Sequence, residues 1–189
     1  MNPGASPKRK LFGGGSSLKS RILLIAGGAL ALIIVATLAM NVLGGGGNVD
    51  KPAMLSIIQD QTELKRLSEL GVQSGVSQTV KNFSITSQFT MSSDQATLLA
   101  YLKKQKYAPN PKMFGLKRDA AATKELEAAK SSSTFDTAYT DIMKEALTEY
   151  QKDLTTAYKG AGPNGKKVLN TAYNNVDLLR TQLTGETKK

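Results

Sequence analysis

Hydrophobic positions fall in two regimes along the chain. From Ile22 to Leu43 the sequence ILLIAGGALALIIVATLAMNVL runs 22 residues without a charge, and only Thr37 and Asn41 are polar. As a helix it would extend roughly 33 Å, enough for the ~30 Å hydrocarbon core of a bilayer. This predicts a single transmembrane helix over 22–43. A cleaved signal peptide has an apolar region of only about 7–15 residues, so an uncleaved anchor is expected despite a passable site at Thr37-Leu38-Ala39.

Gly44–Gly47 then breaks the pattern and marks a flexible linker over 44–50. Beyond it no alternating strand pattern occurs and the periodicity is helical. Asp50 is placed to cap a first helix, Pro52 suits its first turn, and Gly71 is expected to close it. A second helix is predicted over about Val76–Gln105, with Val80, Phe83, Met91, Leu98 and Leu102 as its apolar stripe and Ser87 interrupting it. YAPNPKMFG (107–115) reads as a Pro-broken loop, and a shorter helix follows over roughly Lys117–Lys130. Ser133 stands three residues before Asp136 in a near capping box. The helix it opens runs to about Lys159, with Tyr139, Ile142, Met143, Ala146, Leu147, Tyr150 and Leu154 on one side and solvated Asp141, Glu145 and Glu149 on the other. A last helix spans Pro163 to Gly185. Residues 51–185 are therefore expected to form an all-α four- to five-helix bundle, with 186–189 a disordered tail.

Charge fixes the orientation. Residues 1–21 hold Lys8, Arg9, Lys10, Lys19 and Arg21 and no acid, whereas every acid lies at Asp50 or later. Such a leader, rich in Gly, Ser and Pro, is expected to be disordered and to stay in the cytoplasm, with the bundle extracytoplasmic. The expected localisation is the cell membrane, with the lipid bilayer as partner of residues 22–43.

Composition narrows the chemistry. The chain has Lys+Arg 25 and Asp+Glu 15, but no His, Cys or Trp. Thiolate and imidazole nucleophiles and bases are thus excluded, together with disulfides and the commonest transition-metal ligands. No catalytic residue and no cofactor is expected. Gly160-Ala-Gly-Pro-Asn-Gly165-Lys166-Lys167 has the GxxxxGK spacing of a phosphate loop, but Lys167 stands where the Mg²⁺-binding hydroxyl belongs and a helix precedes it, so an interhelical turn is expected. Asn82-Phe83-Ser84 is a glycosylation sequon within a predicted helix and carries little weight. The tyrosines 101, 107, 139, 150, 158 and 173 are expected at the core edge with wet hydroxyls, and nucleic acid is not an expected partner. Lys103, Lys104, Lys106, Lys112, Lys117 and Arg118 form a cationic region around the Pro-rich loop, a candidate contact for anionic lipid headgroups or wall polymers.

VKNF (80–83), the apolar position at Leu98, FDTAYTDIM (135–143) and LLRTQL (178–183) together resemble a family of exported bacterial four-helix domains of unknown function. The resemblance covers about 54–183 and implies a ferritin-like bundle. Members of that family carry a histidine eight residues after the VKxF Phe, a second twelve residues after the FDxAY Phe, and a third before the final Leu. Here those positions hold Met91, Leu147 and Gln182. The resemblance therefore implies a bundle retained without a histidine-dependent metal site, since Met, Leu and Gln do not replace imidazole for iron or manganese. A carboxylate-only site built from Glu63 or Glu69 with Asp94 is the remaining metal arrangement. The expected function is a non-catalytic binding or scaffold module of the envelope, whose partner is an envelope protein or an anionic polymer. The alternatives are a residual metal-binding or stress-related ferritin-like protein and a binder of anionic surfaces.

Overall fold

The computed structural model describes residues 49–185. The basic leader, the apolar segment 22–43, the tetraglycine and the tail 186–189 lie outside the described residues. Among the described residues no helix is long and apolar enough to cross a membrane. Those residues form five α-helices and one 3-10 helix, without strands: α1 (Lys51–Ser74), α2 (Gln78–Lys104), the 3-10 helix Pro111–Lys117, α3 (Ala120–Ser131), α4 (Phe135–Gly160) and α5 (Pro163–Thr184).

Local chemistry sets the helix starts. Asp50 accepts from the Ala53 amide at 3.1 Å with Pro52 in the first turn, so α1 begins as expected. Ser77 caps α2 through the Val80 amide at 3.2 Å. The Pro-broken loop tightens into the 3-10 helix, capped by Asn110. Asp119 accepts from Ala121 and Ala122 at 2.7 and 2.9 Å, which moves the start of α3 to Ala120 rather than Lys117. The GxxxxGK segment is an interhelical turn, with α4 ending at Gly160 and Pro163 opening α5.

Two expectations about helix ends are overturned. Gly71 does not close α1, which continues to Ser74. A Cβ at position 71 would lie 2.2 Å from Ser84 Oγ and 2.5 Å from Tyr139 Cζ, so this glycine serves close helix approach rather than termination. Ser133 and Asp136 do not make a capping box, because Thr134 occupies the N-cap of α4 without a side-chain bond. The Asp136 carboxylate instead accepts from the Val76 and Ser77 amides at 2.8 and 2.7 Å, tying the start of α4 to the entry of α2. Those bonds, against the opposing effect of burial, hold the Asp136 carboxyl below its usual range.

Helix directions follow from paired residues. Ser68 meets Ser87 and Thr62 meets Gln95, so α1 and α2 are antiparallel. Ser56 meets Asp153 and Gln61 meets Tyr150, so α1 and α4 are antiparallel too. Asn175 meets Asp94, while Gly165 abuts Tyr101, which sets α5 antiparallel to α2. The four long helices form a square in which α2 and α4 run the same way. Residues 105–134, with the 3-10 helix and α3, therefore make one long crossover back along the bundle. One core runs through all of it, with Met54, Ile57, Leu64, Phe83, Met91, Leu98, Phe135, Tyr139, Leu147, Tyr150, Val176 and Leu179 each no more than 2% exposed.

Candidate interaction surfaces

The cationic residues read from the sequence occupy different settings in the structure. Lys103, Lys104 and Lys106 are exposed at the end of α2. The 3-10 helix turns away along the flank of α1, where Gln59 Nε2 donates to the Met113 carbonyl at 2.8 Å, carrying exposed Lys112 and Arg118 with it. Lys117 is drawn inward. Its ammonium lies 2.6 Å from both Asp60 Oδ1 and Asp153 Oδ2, and Ser56 Oγ donates to Asp153 at 2.7 Å. Lys117 is thus a strap joining the crossover to α1 and α4, its ammonium already paired with two carboxylates. Burial pushes Asp60 up to about 7 in spite of Lys117, whereas hydrogen bonds from Lys117 and Ser56 outweigh burial at Asp153 and hold it below the carboxylate range.

Beside this strap lies a cleft of about 580 Å³ between α1, α3 and α4. Its lining includes the apolar Leu64, Leu67, Ile142 and Ala146, and six acids: Asp60, Glu63, Asp119, Glu125, Glu145 and Glu149. Several acids are already engaged. Both oxygens of Glu63 accept from Arg66, Asp119 caps α3, and Glu149 pairs with Lys152 at 2.9 Å. Glu125 and Glu145 stand exposed on α3 and α4. Helical spacing placed Glu145 and Glu149 on the wet side of α4, as found, but could not place α3 opposite them.

A polar layer crosses the centre of the bundle. The α1–α2 register that pairs Ser68 with Ser87 brings Gln61 level with Asp94, seven residues further along each helix. Gln61 Nε2 donates to Tyr150 Oη at 2.9 Å, and Asn175 Nδ2 donates to Asp94 Oδ1 at 2.8 Å. All four long helices thus contribute one side chain. Burial raises Asp94 to about 7, partly offset by Asn175, and holds the Tyr150 phenol well above its usual range. A second polar contact joins Ser84 Oγ to Tyr139 Oη at 2.8 Å. Tyr139 and Tyr150 are therefore buried with internally bonded hydroxyls, not edge residues with wet ones, while Tyr158 is 41% exposed. Ser87, read as an interruption of the apolar stripe, is a buried member of this interior.

The metal candidates do not converge. Glu63 is held by Arg66, Glu69 accepts from Gln88 Nε2 at 3.3 Å, and Asp94 lies inside the bundle with Asn175. Among the described residues no three acidic side chains are grouped to hold a metal ion. Met91 and Leu147 are fully buried in the core, whereas Gln182 is exposed, so the three positions singled out by the resemblance do not share one environment.

The polar layer and the strap were missed in the sequence because each joins residues remote along the chain. The available signal was a lone Asp, Asn or Gln on an otherwise apolar helix face. No known protein family, curated protein or solved structure matches the chain.

Proposed function

We propose that the chain is a non-catalytic binding module of the bacterial envelope, anchored by residues 22–43, with its bundle on the extracytoplasmic side. The long crossover between two helices of like direction is the connection used by ferritin-like bundles, which supports that assignment of the fold. The observation that carries the functional reading is the cleft, in which an apolar floor is flanked by Glu125 and Glu145. Such a groove suits a cationic amphipathic segment of a partner protein: the floor takes its apolar side and the glutamates pair with its Lys or Arg.

Crosslinking in native membranes, with an affinity tag after Lys189, tests this. The expected result is one reproducible protein partner crosslinked through α3 and α4. It should be lost in the charge-reversed pair Glu125→Lys and Glu145→Lys, whose thermal unfolding should stay near wild type because both side chains are exposed. Undiminished capture by that pair, or a defined turnover by the purified chain, would refute the reading.

A further inference from the structure

Three chain segments that are distant in sequence converge at the end of the bundle where α1 begins. Lys51 Nζ sits over the Tyr107 ring at 5.4 Å, which joins the start of α1 to the exit of α2. A Cβ at Gly160 would lie 3.9 Å from Asp50 Oδ2, and one at Gly165 would lie 2.8 Å from Tyr101 Oη. The α4–α5 turn is therefore part of the same end. Lys51, Lys103, Lys104 and Lys106 are exposed there, with Lys159 and Lys167 from the turn. Lys166 is half-buried, its ammonium 5.3 Å from the Tyr158 ring centroid. Across 49–53, 101–110 and 157–168 only Asp50 is acidic, whereas the rest of 49–185 holds 11 cations and 13 acids. The positive charge of the described bundle is thus concentrated on one end.

Helix dipoles account for only part of this. Lys103, Lys104 and Lys159 lie in last turns, where cations are favoured. Lys51 opens α1, and Lys166 and Lys167 lie near the start of α5, where the dipole disfavours a cation. Within the bundle the Tyr107 and Tyr158 rings offset this cost at Lys51 and Lys166, and an anionic surface at this end would offset it at all three. Linker residues 44–50 reach at most about 25 Å when fully extended. α1 is 24 residues long and so extends about 36 Å, which leaves this end, and not the opposite one, within reach of the membrane surface.

We infer that the Lys51, Lys103–Lys106 and Lys159–Lys167 end of the bundle docks on the anionic phospholipid headgroups of the membrane that holds the anchor. The inference rests on the anchor reading of residues 22–43 and is independent of the cleft and its partner. Docking stands the bundle on its basic end and leaves the flank between α1, α3 and α4 open to solvent. It selects one lipid chemistry, because a zwitterionic surface has no net charge to balance seven lysines.

The test is lysine footprinting of the full chain in nanodiscs of phosphatidylcholine alone or mixed equally with phosphatidylglycerol. Acetylation of Lys103, Lys106 and Lys167 should slow on the order of threefold in the anionic discs, with Lys81 and Lys130 unchanged. High salt should abolish the difference. The double variant Lys106→Glu with Lys167→Glu should restore fast labelling of Lys103, with an unchanged circular dichroism spectrum showing that the fold is kept. Equal labelling in both discs overturns the docking while leaving the anchor intact. Slowing by soluble polyphosphate in neutral discs, without slowing by anionic lipid, overturns it in favour of a polymer. A chain that does not incorporate into discs overturns the anchor reading and the docking with it.

Discussion

A methyl group at position 71 is the smallest change the core should resist. Ser84 Oγ and Tyr139 Cζ leave no room for it, and both belong to a hydrogen-bonded contact between α2 and α4. Gly71→Ala should cost about 1–3 kcal/mol in urea unfolding even though alanine has the higher helix propensity. A stabilised variant would mean that the helices part easily. Asp94 makes the second prediction at this scale. With its carboxyl raised to about 7 from 3.8, the folded state holds a proton that the unfolded state has already released. Stability should therefore be greatest below the unfolded value, fall as pH rises from about 4 to about 7, and level off above that. Asp60, also raised to about 7, adds to the same slope. Asp94→Asn should flatten part of it and make the variant more stable than wild type at pH 8, read from thermal midpoints across pH. An unchanged slope would show that the Asp94 carboxylate is solvated.

Among the elements, the joint between α1 and α2 depends on a residue of α4. The Asp136 carboxylate receives both the Val76 and the Ser77 amides, so Asp136→Ala should cost about 1–2 kcal/mol and speed hydrogen exchange at those amides first. Because its folded pKa is depressed, that contribution is present above the unfolded value and is lost as pH falls through the folded one. The strap at Lys117 is the other inter-element device. Lys117→Met leaves Asp60 and Asp153 facing each other without their cation. Since Lys117 keeps a third of its side chain in solvent, the expected loss is about 1–3 kcal/mol, with α3 loosening first in hydrogen exchange. These cases mark what sequence can carry. Asp50, Pro52 and Pro163 announce helix starts because capping is local, and the stripe from Val80 to Leu102 announces a buried face because periodicity is local. Asp136 holding the Ser77 amide 59 residues upstream, and Lys117 reaching Asp60 across 57, depend on tertiary register. Within the candidate basic region the same holds for Lys117, which turns inward to Asp60 and Asp153 while its sequence neighbours Lys112 and Arg118 stay exposed.

The charge of the whole bundle is a dipole of its own, with seven lysines and Asp50 at one end and a near-balanced remainder. Without a counter-surface those lysines repel one another. The thermal midpoint of the chain in neutral detergent should therefore rise between low salt and about 0.15 M, where the Debye length shortens to about 8 Å. A falling midpoint would show that attractive pairs such as Lys117 with its two carboxylates dominate the electrostatics. The crossover has a consequence of a different kind. Because α1–α2 and α4–α5 are each antiparallel hairpins, the only covalent link between the halves is the segment from 105 to 134, and it contributes few large side chains to the shared interior. The protein is in this sense divisible: a protease nick near Tyr107–Asn110 would cut a tether and not a helix. Two co-expressed fragments meeting at that point would be expected to reassemble into one bundle, of which only the first carries the apolar run 22–43.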